Sequence, residues 1–198
     1  GNKDEAIDTL ERGLKATDRS PQLLERMAEV LIEIRQLDQA QKVIQELQAT
    51  NYPKRQIEYL NARMEFIQGH WLAARRGFEN VRGMLTAWPS LLKQVDTWIG
   101  ECYGYTGDYD QQLMACRRAL GVDPLFTPAR AGAIAALRAA GRIDEAIDEC
   151  WQMAKFGGLN AATVPSLVNM LITRTLRQDP RRRNWQALES VLEDAEKA

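Results

Sequence analysis

The sequence predicts an all-α fold: a right-handed superhelical solenoid of antiparallel helix pairs, with about eleven helices and no strands. Three observations predict it. A turn pattern returns at Gly1, Arg35, Gly69, Gly107 and Gly141, at spacings of 34, 34, 38 and 34 residues. Behind each mark an apolar stripe repeats at helical spacing. Six of the seven prolines (Pro21, Pro53, Pro89, Pro124, Pro128, Pro165) fall just before or at the start of a helix, and Pro180 falls between the last two, so none has to interrupt one.

The turn pattern is clearest in the pair Gly1-Asn2-Lys3-Asp4-Glu5-Ala6 and Gly141-Arg142-Ile143-Asp144-Glu145-Ala146. Arg35-Gln36-Leu37-Asp38-Gln39-Ala40 carries arginine where its sisters carry glycine. A sixth copy starts at Asn184. Residues 1–19 supply one helix, the second half of a repeat. Ser20-Pro21 then reads as an N-cap with proline at the first helical position, and Thr127-Pro128 reads the same way. Full repeats follow at about 20–52, 53–88, 89–124 and 125–158, and a divergent helix pair closes the chain at 159–198. The whole of 1–198 is expected to form one repeat domain.

The register assigns each position a task. Ala6, Ala40, Ala74 and Ala146 let a neighbouring helix approach, and Gln112 and Leu188 replace them in the other two copies. Leu10, Ile44, Phe78, Cys116, Cys150 and Leu192 follow one turn later, then Gly13, Leu47, Val81, Ala119, Met153 and Ala195, all on one face. Leu37, Trp71, Tyr109, Ile143 and Trp185 are expected to plug the crevice inside each pair. Upstream, Leu24, Met27, Ala28 and Leu31 make the stripe of a first-type helix, matched by Ile99, Gly100 and Tyr103.

A period of 34 residues built this way resembles tetratricopeptide repeats. The resemblance is carried by Ile99-Gly100-x-x-Tyr103, Gly107-Asp108-Tyr109, Ala119 and Asp123-Pro124, and by Arg142-Ile143-Asp144-Glu145-Ala146. It spans 1–198 and implies a piece of a longer, bacterial-type multi-repeat protein that binds protein or peptide partners. Departures predict local differences. Gln112 should loosen its hairpin. The four residues inserted between Phe78 and Ser90 should lengthen the second helix of their repeat by about one turn. In 53–88 the stripe Ile57, Leu60, Met64, Ile67 runs one residue out of register, so either the helix is rotated or the turn before Gly69 is longer.

Composition excludes several kinds of function. A formal net charge of −1 and a pI near 6.0 offer no excess of positive charge for nucleic acid or an anionic membrane. No apolar run is long enough to cross a bilayer, and no signal-peptide pattern opens the sequence, which favours a cytoplasmic setting. The single histidine, His70, has no second histidine to share a metal with, and reads as an exposed or capping residue. Cys102, Cys116 and Cys150 lie inside helical patterns and read as buried thiols. The arginines at 174, 177, 181, 182 and 183 read as solvated loop charge. No cofactor, metal site or catalytic motif is expected.

What remains is surface. The resemblance implies that first-type helices line a concave groove. Its expected contact residues are Tyr59, Arg63, Phe66, Glu101, Tyr105 and Arg138, with Glu25, Glu29, Glu33 and Thr97 in equivalent positions. The Lys/Asn arrangement that the family uses on C-terminal carboxylates is absent. The expected function is a non-catalytic scaffold for a protein or peptide. The alternatives are a helical-repeat RNA binder, disfavoured by charge, and a regulatory or oligomerisation segment of a larger enzyme. Self-association through exposed terminal faces is a further expectation.

Overall fold

A computed structural model describes residues 2–157 and 164–197. The turn mark at Gly1 and the side chain of Ala195 lie outside the described residues. Two compact units divide the chain, Gly1–Trp88 and Pro89–Ala198.

The first unit holds α1 (Asn2–Ala16), α2 (Pro21–Glu33), α3 (Leu37–Ala49), α4 (Lys54–Gln68) and α5 (Trp71–Arg82). The second holds α6 (Pro89–Tyr105), α7 (Tyr109–Val122), α8 (Thr127–Ala139), α9 (Ile143–Gly157) and α10 (Val164–Leu176). A 3-10 turn at Pro180–Arg182 then leads to α11 (Gln186–Lys197). Among the described residues these are the only regular elements, so the all-α reading holds. Helices pair as α2 with α3, α4 with α5, α6 with α7, α8 with α9 and α10 with α11. First-type helices also touch their neighbours, α2 with α4 and α6 with α8.

The turn inside four of the pairs is one structure repeated. Gly69, Gly107 and Gly141 have φ of 81°, 81° and 73°, and Arg35 is held at 64°. The next residue's N–H returns to a carbonyl five back: Gln36 to Leu31 at 2.8 Å, His70 to Glu65 at 2.9 Å, Asp108 to Tyr103 at 3.0 Å and Arg142 to Leu137 at 2.9 Å. This left-handed cap satisfies the final carbonyls of one helix before the next begins. Because the turn before Gly69 matches its sisters, the irregularity in 53–88 is not a longer turn; α4 buries Ile57, Tyr59, Ala62 and Met64, the counterparts of Val95, Thr97, Gly100 and Cys102 in α6. Tyr59, Leu60 and Met64 are buried there, while Asn61 is only half-buried.

Small residues set the distances between helices. Ala40, Ala74 and Ala146 are fully buried, as the register requires. A Cβ at Gly77 would stand 2.8 Å from the Cβ of Ala62, so α4 and α5 touch backbone to backbone. Cys116 Sγ occupies a gap kept open from both sides, 3.0 Å from a Cβ built at Gly100 and 2.7 Å from one at Gly132. The thiol is thus the knob that joins α6, α7 and α8. A second core gathers Leu137, Ile147, Leu167, Met170, Leu171 and Val191, with Trp151 and Met153 packed against it.

Five expectations change. The insertion after Phe78 does not lengthen its helix: α5 stops at Arg82, and Gly83 opens a turn that buries Leu85. The extra length appears in α6, which has 17 residues against 13 in α2 and α8. Ser20 does not cap α2 with its side chain, because its hydroxyl donates to Gln22 Oε1 at 2.7 Å. Thr127 falls inside α8 and Phe126 takes the cap position. In the last pair Val191 is buried and Leu192 is 45% exposed, so the core face there is shifted by one residue. Gln112, finally, does not loosen its hairpin, for a reason given with the groove.

Candidate functional site

The second unit presents an open groove of 550 Å³ along α6 and α8. Its floor is made of Gly104, Ala131, Gly132 and Ala135, and the walls are Tyr105, Tyr109 and Glu101. The floor exists because small residues recur at helical spacing on α8, at 131, 135 and 139. Tyr105 is 63% exposed and Tyr109 37%, so both rings offer an apolar face and a hydroxyl to anything above the floor. Tyr109 stands at a register position expected to be a crevice plug. Gln112 enters from α7, and Gly104 gives it room: the space a Cβ would take at 104 holds its carboxamide.

Glu101 is half-buried on the groove wall, and burial pushes its carboxyl above the ordinary value. Behind it, burial first and Glu101's charge second push the Cys116 thiol up to about 12. Cys150 is pushed up to about 11, again mainly by burial. Such thiols stay protonated and are poor nucleophiles or metal ligands. All three cysteines are buried, and none forms a disulfide.

A second depression of 450 Å³ continues along α8, lined by Arg138, Ile143, Asn169, Met170 and Thr173, and shares Ala135 and Ala139 with the first. Arg138 donates to Ser166 Oγ at 3.3 Å from an exposed position. Behind the α6 face, Asp96 is fully buried and accepts from Arg118 Nε at 2.8 Å. Lys93 reaches Asp123 at 2.6 Å and lies 4.6 Å from the Phe126 ring centre. These pairs fix α6 against the helices that follow it.

The first unit is arranged differently. Tyr59 is 6% exposed, and Phe66 packs edge-on against Trp71 and Phe78 with ring centres 5.4 and 6.2 Å away. The expectation that these two line a groove is corrected: the Tyr59 position faces into the packing, as its counterpart Thr97 does in α6, and Phe66 packs inside its own pair. Arg63 lies over the Tyr59 ring at 5.9 Å, and burial raises the Tyr59 phenol. Glu25 accepts from the Tyr52 hydroxyl at 2.7 Å, and burial together with that carboxylate pushes Tyr52 up to about 12. Glu29 pairs with Arg26 at 2.6 Å. Thr97, in the second unit, is buried and donates to the Lys93 carbonyl. His70 sits 2.7 Å from Glu65 through Nδ1.

No protein-family model and no curated protein sequence matches the chain. Solved structures do. PilF from Pseudomonas aeruginosa is similar at a TM-score of 0.73 and 14% identity, over 96% of this chain and 82% of that one. TTC0263, a tetratricopeptide-repeat protein of Thermus thermophilus, is similar at 0.67 and 15% identity, over 86% and 91%. The fold is that of tetratricopeptide repeats. YrrB, described as a tetratricopeptide-repeat protein with an unusual peptide-binding site, is similar at 0.64 and 14% identity, over 94% and 92%.

Within the tetratricopeptide-repeat frame, Glu101 and Tyr105 share one groove, and Arg138 lies on its continuation. Sequence reasoning missed Tyr109 as a wall and Gln112 as a floor residue. The signal for Gln112 was present, as the one polar residue at a position otherwise held by alanine or leucine. Among the described residues no three His, Cys, Asp or Glu side chains are grouped to hold a metal, and no helix is long and apolar enough to cross a membrane.

Proposed function

We propose that this chain is a non-catalytic scaffold that binds a segment of protein in the groove of α6 and α8. The observation that carries the reading is the shape and chemistry of that groove. It is concave, 550 Å³, walled by exposed tyrosines and floored by glycine and alanine, so a chain can lie close to the helix backbones. Exposed aromatic side chains beside a small-residue floor supply the anchors that dominate such interfaces. Glu101, Tyr105 and Arg138 are the contact residues. Tyr59, Arg63 and Phe66 contribute through packing and internal pairing of the first unit. The peptide-binding site for which YrrB is described supports the reading by analogy of fold.

The test is a selection of displayed random heptapeptides on the immobilised chain, with Ala135→Arg as a blocked groove and Tyr105→Ala as a trimmed wall. Ala135 is exposed, so the arginine fills the groove without entering the core. Peptides chosen on the wild type should bind Ala135→Arg at least about tenfold more weakly, and Tyr105→Ala several-fold more weakly. Selection that yields no peptide sensitive to Ala135→Arg would defeat the reading.

A further inference from the structure

Three sister repeats place Ala40, Ala74 and Ala146 where the third full repeat places Gln112. A long polar side chain at this crossing should wedge α6 from α7. It does not, because Gly104 faces it. A Cβ built at 104 would lie 2.7 Å from Gln112 Oε1 and 2.8 Å from both Cδ and Nε2. Three amide atoms nearly equidistant from one point mean that the flat face of the carboxamide rests on α6. Its donors and acceptor lie in the amide plane, so they point away from that contact with α6.

Gln112 is 8% exposed and lines the groove, and among the described residues its carboxamide has no hydrogen-bond partner. Glu101, on the same wall, is half-buried and has no ion-pair partner among the described residues. The other lining residues, Tyr105, Tyr109, Pro128 and the alanines and glycines, offer an almost wholly apolar surround. Two polar side chains thus line an otherwise apolar channel.

The geometry selects the conformation of the occupant. A carboxamide presents an N–H and a C=O side by side, the complement of the N–H and C=O that one residue of an extended chain shows on one edge. A helical partner has already used those groups internally. We propose that Gln112 reads the main chain of an extended protein segment crossing α6 and α8, with a lysine or arginine of that segment on Glu101. This rests on the groove reading above and names what the groove recognises.

The test uses heptapeptides selected on the wild-type chain and resynthesised with acetyl and amide ends. Affinity is measured by fluorescence anisotropy on the wild type, Gln112→Leu, Glu101→Gln and Ala135→Arg. Leucine keeps the space over Gly104 filled while removing the amide. Gln112→Leu should weaken binding roughly tenfold or more, since two hydrogen bonds are lost. Methylating the peptide backbone nitrogens one at a time should show one position that costs roughly tenfold on the wild type and little on Gln112→Leu. The selected peptides should be rich in lysine or arginine, and Glu101→Gln should weaken them several-fold. If Gln112→Leu misfolds by circular dichroism, Gln112→Asn, one methylene shorter, takes its place in the methylation comparison. Peptides that require an open Ala135 yet ignore Gln112 and tolerate methylation everywhere would overturn the Gln112 proposal and leave the groove reading standing. A selected set with helical periodicity would also overturn it. If no peptide responds to Ala135→Arg, both fall.

Discussion

Gly77→Ala and Gly83→Ala are the same chemical change in one unit, and the structure gives them opposite signs. Alanine is preferred over glycine in a helix by about 1 kcal/mol, so each replacement starts with a gain of that order. At Gly83 nothing lies within 4 Å of the added methyl, and φ is −60°. That gain should be kept, as about 0.4–1 kcal/mol of added stability. At Gly77 the methyl would stand 2.8 Å from Ala62 Cβ and 3.4 Å from Ala62 Cα. Carbon atoms rest at about 3.5–4.0 Å, so α4 and α5 must part by close to an ångström, and no side-chain rotation can absorb it. Overpacking of this kind costs about 1–3 kcal/mol, which outweighs the propensity gain. Urea unfolding followed by far-UV circular dichroism should place Gly77→Ala below the wild type and Gly83→Ala above it. Adding Ala62→Gly to Gly77→Ala should return stability to near the wild type, because the two residues have exchanged places. Repeat proteins can unfold in steps, so whole curves are compared. If Gly77→Ala stabilises as much as Gly83→Ala, the close approach of α4 and α5 is wrong.

Three further predictions follow from single sites. Arg35→Gly should stabilise the first unit by about 1 kcal/mol in the same assay, because arginine there holds a φ of 64° that its three sister turns give to glycine; no gain would show that the turn carries no strain. Arg118→Met should cost about 1–3 kcal/mol by removing a guanidinium from the buried Asp96 carboxylate, whereas Asp96→Asn keeps an acceptor and should cost less; the reverse order would refute the pairing. Cys116 and Cys150 have ordinary values of 9.0 and folded values near 12 and 11. An unfolded chain therefore releases protons that the folded chain keeps once pH passes about 9, and stability should fall from there toward pH 11. The fall should be shallower in Cys116→Ala/Cys150→Ala, and native thiols should resist a disulfide reagent until urea is added; equal slopes would remove the thiols from the explanation.

The sequence was most informative where a residue's task is local. A glycine followed by a polar residue and a large apolar one marks a left-handed cap, and Gly69, Gly107 and Gly141 all form it. Alanine at a helix crossing needs only a neighbour to bury it, and Ala40, Ala74 and Ala146 are buried. Reading failed where the outcome depends on a residue far along the chain. Nothing around Gln112 announces that Gly104 will make room for it. The repeat register assigns Tyr59 and Phe66 to the groove, but Thr97, the counterpart of Tyr59 in α6, is buried as well, so that position belongs to packing between helices. The insertion after Phe78 could have lengthened either flanking helix or made a loop, and Gly83 tips the balance through its poor helix propensity. Glu101 and Tyr105 line one groove and Arg138 its continuation, since α6 and α8 lie side by side.

The pairing of Gly104 with Gln112 also ties the chemistry of the groove to the residue at 104. Glycine at 104 is compatible with alanine at 112, at the cost of some unfilled space. A side chain at 104 would bring its Cβ within 2.7–2.8 Å of the Gln112 amide atoms, the far end of a flexible side chain, so the glutamine would turn aside rather than part the helices. Only with glycine at 104 does the amide rest where it does now. A substitution at 104 would move that amide, so the polar group of the groove is set from the facing helix.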